Sequence, residues 1–224
     1  MKRKVITTAD GSKTIQIEDW NEQYHSIHGA YQEAMHVFIK HGLKHVIDNE
    51  NYSERLSILE IGFGTGLNAM LTMLEASKNQ VSVNYVGVEA YPVLLIELKQ
   101  LQYDALLKDD SITFFKMHEE GWGNASTITS DFTLTKREQF FQDITDADAY
   151  NLIYFDAFGA RVQPDLWTES IFKIMYKALK AKGVLVTYSA KGSVRRAMQA
   201  VGFEVERLPG PPGKREMLRA FKKA

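Results

Sequence analysis

Leu59-Glu60-Ile61-Gly62-Phe63-Gly64-Thr65-Gly66-Leu67-Asn68 joins an apolar run, Leu56 to Ile61, to a helical pattern that begins at Leu67. Glycines at 62, 64 and 66 let a backbone without side-chain bulk pass close to a ligand just before the helix starts. The acid ahead of them sets the sign of the site: Glu60 would repel a pyrophosphate, but it suits a ligand that carries an ammonium and a sulfonium. Asn68-Ala69-Met70 also lacks the further glycine that a dinucleotide fingerprint needs. The stretch therefore predicts S-adenosylmethionine as cofactor, held by Glu60, Gly62, Phe63, Gly64, Gly66 and Asn68, with S-adenosylhomocysteine as product.

Outward from that loop the pattern alternates. Leu56 to Ile61, Val83 to Val88, Leu152 to Phe155 and Val184 to Tyr188 read as strands, and Leu67 to Ser77, Leu94 to Leu107, Trp167 to Leu179 and Ser193 to Val201 read as helices. Ile112 to Met117 and Phe132 to Thr135 read as shorter extended pieces around Gly121-Trp122-Gly123. Phe203 to Leu208 and Met217 to Phe221 are joined by Pro209-Gly210-Pro211-Pro212-Gly213, too tight a connection for parallel neighbours, so the last strand should run antiparallel. That ending is typical of methyltransferases and not of dehydrogenases. Upstream, Asp10-Gly11 marks a hairpin turn, Gln32 to Ile47 a helix and Asn49 to Arg55 a polar connector. The expected fold is a Rossmann-like α/β, class I S-adenosylmethionine-dependent methyltransferase: a mostly parallel seven-stranded sheet with an antiparallel last strand. Residues 1–224 form one domain, with 1–55 as a hairpin-and-helix extension and 56–224 as the core.

A chain of 224 residues with 45% hydrophobic content is sufficient for one such core. It contains no apolar run long enough to span a bilayer, and Met1-Lys2-Arg3-Lys4 lacks the apolar centre of a secretory signal, so a cytoplasmic location is expected. The absence of cysteine removes disulfides and thiolate metal sites. The formal net charge of -1 gives no global basic field, yet Lys191, Arg195, Arg196, Lys214 and Arg215 cluster in the last third and offer a local phosphate-facing patch.

Several side chains carry candidate chemistry. Glu89 ends the second strand, where a carboxylate accepts hydrogen bonds from ribose hydroxyls. An acid or amide after the third strand would read an adenine amino group, and Glu138 is the candidate. Asp156 follows four apolar residues and points into the same crevice, placed to hold an attacking amine and take its proton. Lys191, Arg195 and Arg196 surround the start of a helix, an arrangement suited to phosphate. Tyr24, Trp122 and Trp167 are candidates for stacking on a base. His25, His28, His36, His41, His45 and His118 form no recognisable ligand motif, so no metal is expected.

More restrictive stretches extend across most of the chain: Asp10-Gly11-Ser12, Tyr24-His25-Ser26, His28-Gly29-Ala30, Asp156-Ala157-Phe158 with Gln163-Pro164-Asp165-Leu166-Trp167-Thr168, Ser189-Ala190-Lys191-Gly192, and Gly213-Lys214-Arg215-Glu216-Met217. Together with the glycine loop they resemble the methyltransferase domain of the MnmC family of tRNA wobble-uridine enzymes. The resemblance implies methylation of the exocyclic amine of 5-aminomethyl-(2-thio)uridine at position 34 of tRNA. It makes Asp156 the active-site aspartate, Gly62, Gly64 and Glu89 cofactor positions, and Tyr24, His25, Lys191, Arg195, Arg196, Lys214 and Arg215 substrate or tRNA contacts. It also implies a separate enzyme that supplies the aminomethyl-uridine. Two other readings stand beside it: a polyamine aminopropyltransferase, which shares the N-terminal hairpin and an acidic crevice, and a tRNA-binding module without catalysis.

Overall fold

Alternating strands and helices from Leu56 onward produce a sheet whose central strands are buried on both faces. The computed structural model describes residues 2–49, 55–103 and 111–223. A small antiparallel sheet of β1 (Arg3–Thr7), β2 (Lys13–Ile17) and β3 (Glu22–Gln23) comes first. A long helix, α1, then passes through Ala30–Ala34, a π-helical Met35–Lys44 and His45–Asn49. The core follows as β4 (Leu56–Ile61), α2 (Leu67–Lys78), β5 (Val83–Glu89), α3 (Leu95–Leu101), α4 (Ser111–Glu119), β6 (Ala125–Thr129) and β7 (Phe132–Glu138). It continues with β8 (Tyr150–Phe155), α5 (Glu169–Ala178), β9 (Leu179–Thr187), α6 (Gly192–Ala200), β10 (Glu204–Pro209) and β11 (Glu216–Phe221).

The core sheet has eight strands in the order β10-β11-β9-β8-β4-β5-β7-β6. β4, β5, β7, β8 and β9 run parallel, and β11 pairs antiparallel with both β9 and β10, as the tight Pro-Gly connection required. Seven of the strands give the expected methyltransferase arrangement. The eighth, β6, is an added edge strand that pairs antiparallel with β7 through a bulge between Thr127 and Thr129.

Side-chain alternation along the strands divides the core in two. Ile58, Leu152, Tyr154, Val184 and Val186 pack with α1, α2 and α4. Leu59, Ile61, Ile153, Phe155 and Leu185 pack with α5 and α6 on the opposite face.

One expectation fails: Ile112 to Met117 lies within the helix α4 and not in an extended piece. Its β-branched and aromatic composition suggests a strand, but Phe114 and Met117, three apart, are both buried, which is helical spacing. The expected helix Leu94 to Leu107 is seen as Leu95–Leu101, and residues 104–107 lie outside the described residues, as does most of the Asn49–Arg55 connector.

The hairpin turn also builds the start of α1. Asp10 Oδ2 accepts the Gln32 N–H at 3.0 Å, and Ser12 Oγ accepts the Ala30 N–H at 3.1 Å. These capping bonds satisfy amides that the first turn cannot, and they fix Glu33 one turn inside the helix.

Gly87, in the middle of β5, leaves room for the Phe63 ring, into which a Cβ at that position would run. Gly87→Val should therefore lower stability by about 1–3 kcal/mol through overpacking. Urea unfolding that shows no change would mean that the loop relaxes away from the strand at no cost.

Candidate active site

The parallel strands bring their carboxyl ends to one edge, and the loops leaving them wall a cavity of about 720 Å3. Strand order becomes order along this cavity. Phe140 and Gln142 follow β7, Glu89 ends β5, Gly62 and Gly64 follow β4, Asp156 follows β8, and Tyr188 follows β9. The β10–β11 loop reaches the same edge because β11 reverses direction, with Leu218 opposite Thr187 and Pro209 opposite Glu216. That loop carries Lys214 into the wall.

Backbone conformation explains the glycines. Gly62 has φ +87, and a Cβ there would lie 2.7 Å from the Asp156 carbonyl oxygen. Gly64 has φ +50 and faces the Tyr24 ring at 3.0 Å from the same imagined atom. The Gly62 and Phe63 N–H groups both donate to Val88 O, at 2.9 and 3.0 Å. The Gly64 N–H donates to Glu89 Oε2 at 3.1 Å and the Tyr91 N–H to Oε1 at 2.9 Å, so the loop itself aims the Glu89 carboxylate.

Thr65 ties this loop to its surroundings. Its Oγ1 shares a 2.9 Å hydrogen bond with His25 Nε2 and lies 3.4 Å from the Tyr103 hydroxyl, while its carbonyl accepts from His118 Nε2 at 3.1 Å. Burial lowers both imidazoles, His25 to about 4 and His118 to about 3, so both are neutral supports near pH 7. His25 thus positions the cofactor loop as well as lining the cavity.

Glu60 requires a correction. It is fully buried and does not line the cavity; Oε1 accepts from Asn68 Nδ2 at 2.8 Å and Oε2 from the Tyr85 hydroxyl at 2.9 Å. Burial raises its carboxyl well above the usual range, with Asp156 adding to the effect. Direct charge contact with a ligand is replaced by support from beneath. Asn68 Nδ2 also donates to Asp156 Oδ2 at 2.9 Å, which makes one amide a bridge between the two carboxyl groups. Asp156 lines the cavity, and burial, reinforced by Glu33, pushes it up to about 8.

Other predicted residues fall elsewhere. Glu138 ends β7 opposite Glu89, exposed and off the cavity wall. Gln142, four residues later in the chain, is an amide that does line the cavity. Phe63 is buried against Trp122 and His118, and Gly66 caps α2; neither lines the cavity. Trp122 covers Phe63, and Trp167 Nε1 donates to Phe158 O at 2.8 Å, so both tryptophans shape the walls without facing a base. Tyr24 does line the cavity, edge to face with Phe158 at 4.9 Å. Glu33 and Phe158 were read only as parts of stretches that carry the resemblance, and Tyr188 only as the end of a strand, so none of the three was assigned a role. Lys191, Arg196 and Arg215 are exposed, Arg195 is partly so, and none of the four has an ion-pair partner among the described residues.

S-adenosylmethionine suits this wall. The glycine positions that line the cavity would be closed by any Cβ, whereas Asn68, predicted as a cofactor contact, is buried off the cavity wall with its Oδ1 lacking a hydrogen-bond partner among the described residues. Among the described residues no group of three or more His, Asp or Glu could hold a metal, and no helix is long and apolar enough to cross a membrane.

Comparison with known proteins agrees with the geometry. A family profile described as S-adenosyl-L-methionine-dependent methyltransferase matches residues 125–223. The crystal structure of MNMC2 from Aquifex aeolicus superposes with a TM-score of 0.75 at 23% identity, covering 100% of this chain and 71% of that one. Spermidine synthase from Thermotoga maritima gives a TM-score of 0.54 at 15% identity over 97% and 72% of the two chains. The fold is that of the class I S-adenosylmethionine-dependent methyltransferases. In sequence the chain is similar to the "tRNA 5-methylaminomethyl-2-thiouridine biosynthesis bifunctional protein MnmC" of Azoarcus sp., which is 30% identical over 216 residues, 89% of this chain and 33% of its own. The chain spans about a third of the length of the curated relatives it matches.

Gly62→Ala should weaken S-adenosylhomocysteine binding at least about tenfold, because it demands both the left-handed backbone and space already held by Asp156 O. Calorimetric titration of the folded variant checks this, and an unchanged affinity would detach the loop from the cofactor.

Proposed function

We propose that the chain transfers a methyl group from S-adenosylmethionine to the exocyclic amine of 5-aminomethyl-(2-thio)uridine at the wobble position of tRNA, in the cytoplasm, with residues 1–224 acting as one unit. The observation that carries this reading is the placement of Asp156. It follows the glycine loop in the order along the edge, shares Asn68 with Glu60, and faces the space beyond the cofactor positions. Gln142 and Phe140 receive the adenine, Glu89 the ribose hydroxyls, and Gly62 and Gly64 the amino-acid end.

The cofactor supplies an electrophilic methyl carbon on a sulfonium. A substrate amine enters as an ammonium, and Asp156 takes one proton so that a nitrogen lone pair is free. The nitrogen lone pair forms the new C–N bond as the C–S bond breaks, the product leaves as a secondary ammonium that keeps two of the three original protons, and Asp156 releases the third to solvent. Alignment and exclusion of water supply most of the rate, since no group other than the amine must change its bonding. The amine itself must be made beforehand, by a separate enzyme acting on the uridine.

Support for a tRNA substrate comes from Lys191, Arg195, Arg196 and Arg215, which have no ion-pair partner among the described residues, and from the tRNA function that the relatives' name carries. A polyamine substrate would be repelled by the same cations, and the likeness to spermidine synthase extends to the fold.

Labelled S-adenosylmethionine with tRNA bearing 5-aminomethyluridine should place label on that base, and Asp156→Asn should cut kcat at least about 100-fold. Rate should rise with pH through about 8 in the parent, as Asp156 ionises. Folding holds this carboxyl above its unfolded value, so ionisation opposes the fold and stability falls as pH rises toward and through about 8. The Asn variant should therefore be at least as thermostable as the parent at pH 8; a less stable variant would contradict the burial argument. Arg195→Glu with Arg196→Glu should raise KM for tRNA and flatten its salt dependence while leaving S-adenosylhomocysteine affinity unchanged.

A further inference from the structure

The reaction end of the cavity holds charges that the transfer step does not itself consume. Glu33, in the first turn of α1, is buried; one carboxylate oxygen accepts the Ser26 N–H at 2.9 Å and the other pairs with Lys214 Nζ. The Lys214 ammonium stands 3.9 Å from the centre of the Tyr188 ring, and the Tyr188 hydroxyl donates at 2.8 Å to the carbonyl of Ala157, next to Asp156. Gly213, at φ +81, presses its loop against the His28 imidazole, leaving no room for a Cβ and delivering Lys214 inward. Glu33, Asp156, Tyr188 and Lys214 all line the cavity.

We propose that Glu33 and Lys214 are a positioning pair that sets the charge of this wall: Lys214 neutralises Glu33, and Asp156 is left as the one carboxylate that answers the substrate's ammonium. The proposal rests on the reading of Asp156 given above. Every packed element contributes to the balance at that carboxyl. Glu33 from α1 pushes it up, Lys214 from the β10–β11 loop pulls it down, and Asn68 from α2 donates to it. Glu60 from β4 lies on the other side of Asn68, Tyr85 from β5 bonds Glu60, and Tyr188 follows β9. His25, from the N-terminal segment, is held neutral by burial.

Each unpaired alternative harms the reaction. With Glu33 alone, its uncompensated charge would raise Asp156 further, and Asp156 would stop accepting a proton from the amine. With Lys214 alone, a resident cation would occupy Asp156 and repel the incoming ammonium. The matched pair avoids both.

The direct test is an NMR pH titration of the Asp156 carboxyl in the full chain labelled with 13C-aspartate, the signal being identified by its loss in D156N. Lys214→Met should move the Asp156 midpoint upward by about one pH unit or more, and Glu33→Gln should move it downward. The double variant and Lys214→Arg should return it toward the parent. In parallel, Lys214→Met should lower kcat/KM for methyl transfer about tenfold below the midpoint and recover as pH rises, with S-adenosylhomocysteine affinity unchanged. Midpoints that stay fixed across the series while melting temperatures fall would overturn the proposal and leave the pair a structural tie. Midpoints that move as expected with no label on tRNA would uphold the charge balance and reject the substrate reading. Should Lys214→Met not fold, Glu33→Gln and Lys214→Arg carry the same comparison.

Discussion

The amide of Asn68 donates to Glu60 on one side and Asp156 on the other, and the arrangement of the reaction end depends on that bridge. Two carboxyl groups buried this close cannot both carry full charge without compensation. Burial lifts both above the ordinary carboxylate range, and the shared amide fixes Asp156 in one orientation toward the cavity. The carbonyl of the same amide remains buried without a partner. One side chain thus joins the two acids and holds Asp156 in place.

The N-terminal extension participates in this chemistry. His25 bonds Thr65 in the glycine loop, Tyr24 faces Gly64, and Glu33 enters the reaction wall from a helix whose start is capped by the hairpin turn at Asp10 and Ser12. The core sheet provides an edge with the correct order of ligand positions. The extension converts that edge into a walled cavity, with Arg161 hydrogen-bonding to Trp20 O, Asn21 O and Glu22 to tie the loop after β8 to β3.

Much of this architecture was legible because it follows from local rules. Strand β4, the glycine loop and α2 lie where spacing placed them, and the Pro-Gly connection implied an antiparallel β11 before any pairing was known. Asp156 was legible because an acid after a buried strand has one crevice to face. What failed depends on three-dimensional neighbours. Helix α4 looks extended because Ile112, Phe114 and Phe115 favour strands, yet His118 at its end is needed behind Thr65. Glu60 was read as an acid facing a cationic ligand, but burial raises its carboxyl and alternation along β4 turns its side chain beneath the loop, a direction that charge alone does not reveal. Neither Glu33, which was read only within the resemblance, nor Tyr188, which was read only as a strand end, was given a role; they meet at the cavity because distant elements converge there.

The insertion of β11 between β9 and β10 also bears on how the molecule is assembled. Glu33 and Lys214 are separated by 181 positions, and His36 reaches Pro209 across 173. Contacts of such span close last when a chain collapses, since their loop entropy is repaid only after the intervening sheet exists. The glycine loop and Glu89, 25 positions apart, come together early by comparison. Joining Glu33 to Lys214 therefore costs more chain entropy than joining the glycine loop to Glu89, and the wall that the two distant ends close is the part of the cavity most dependent on the finished sheet.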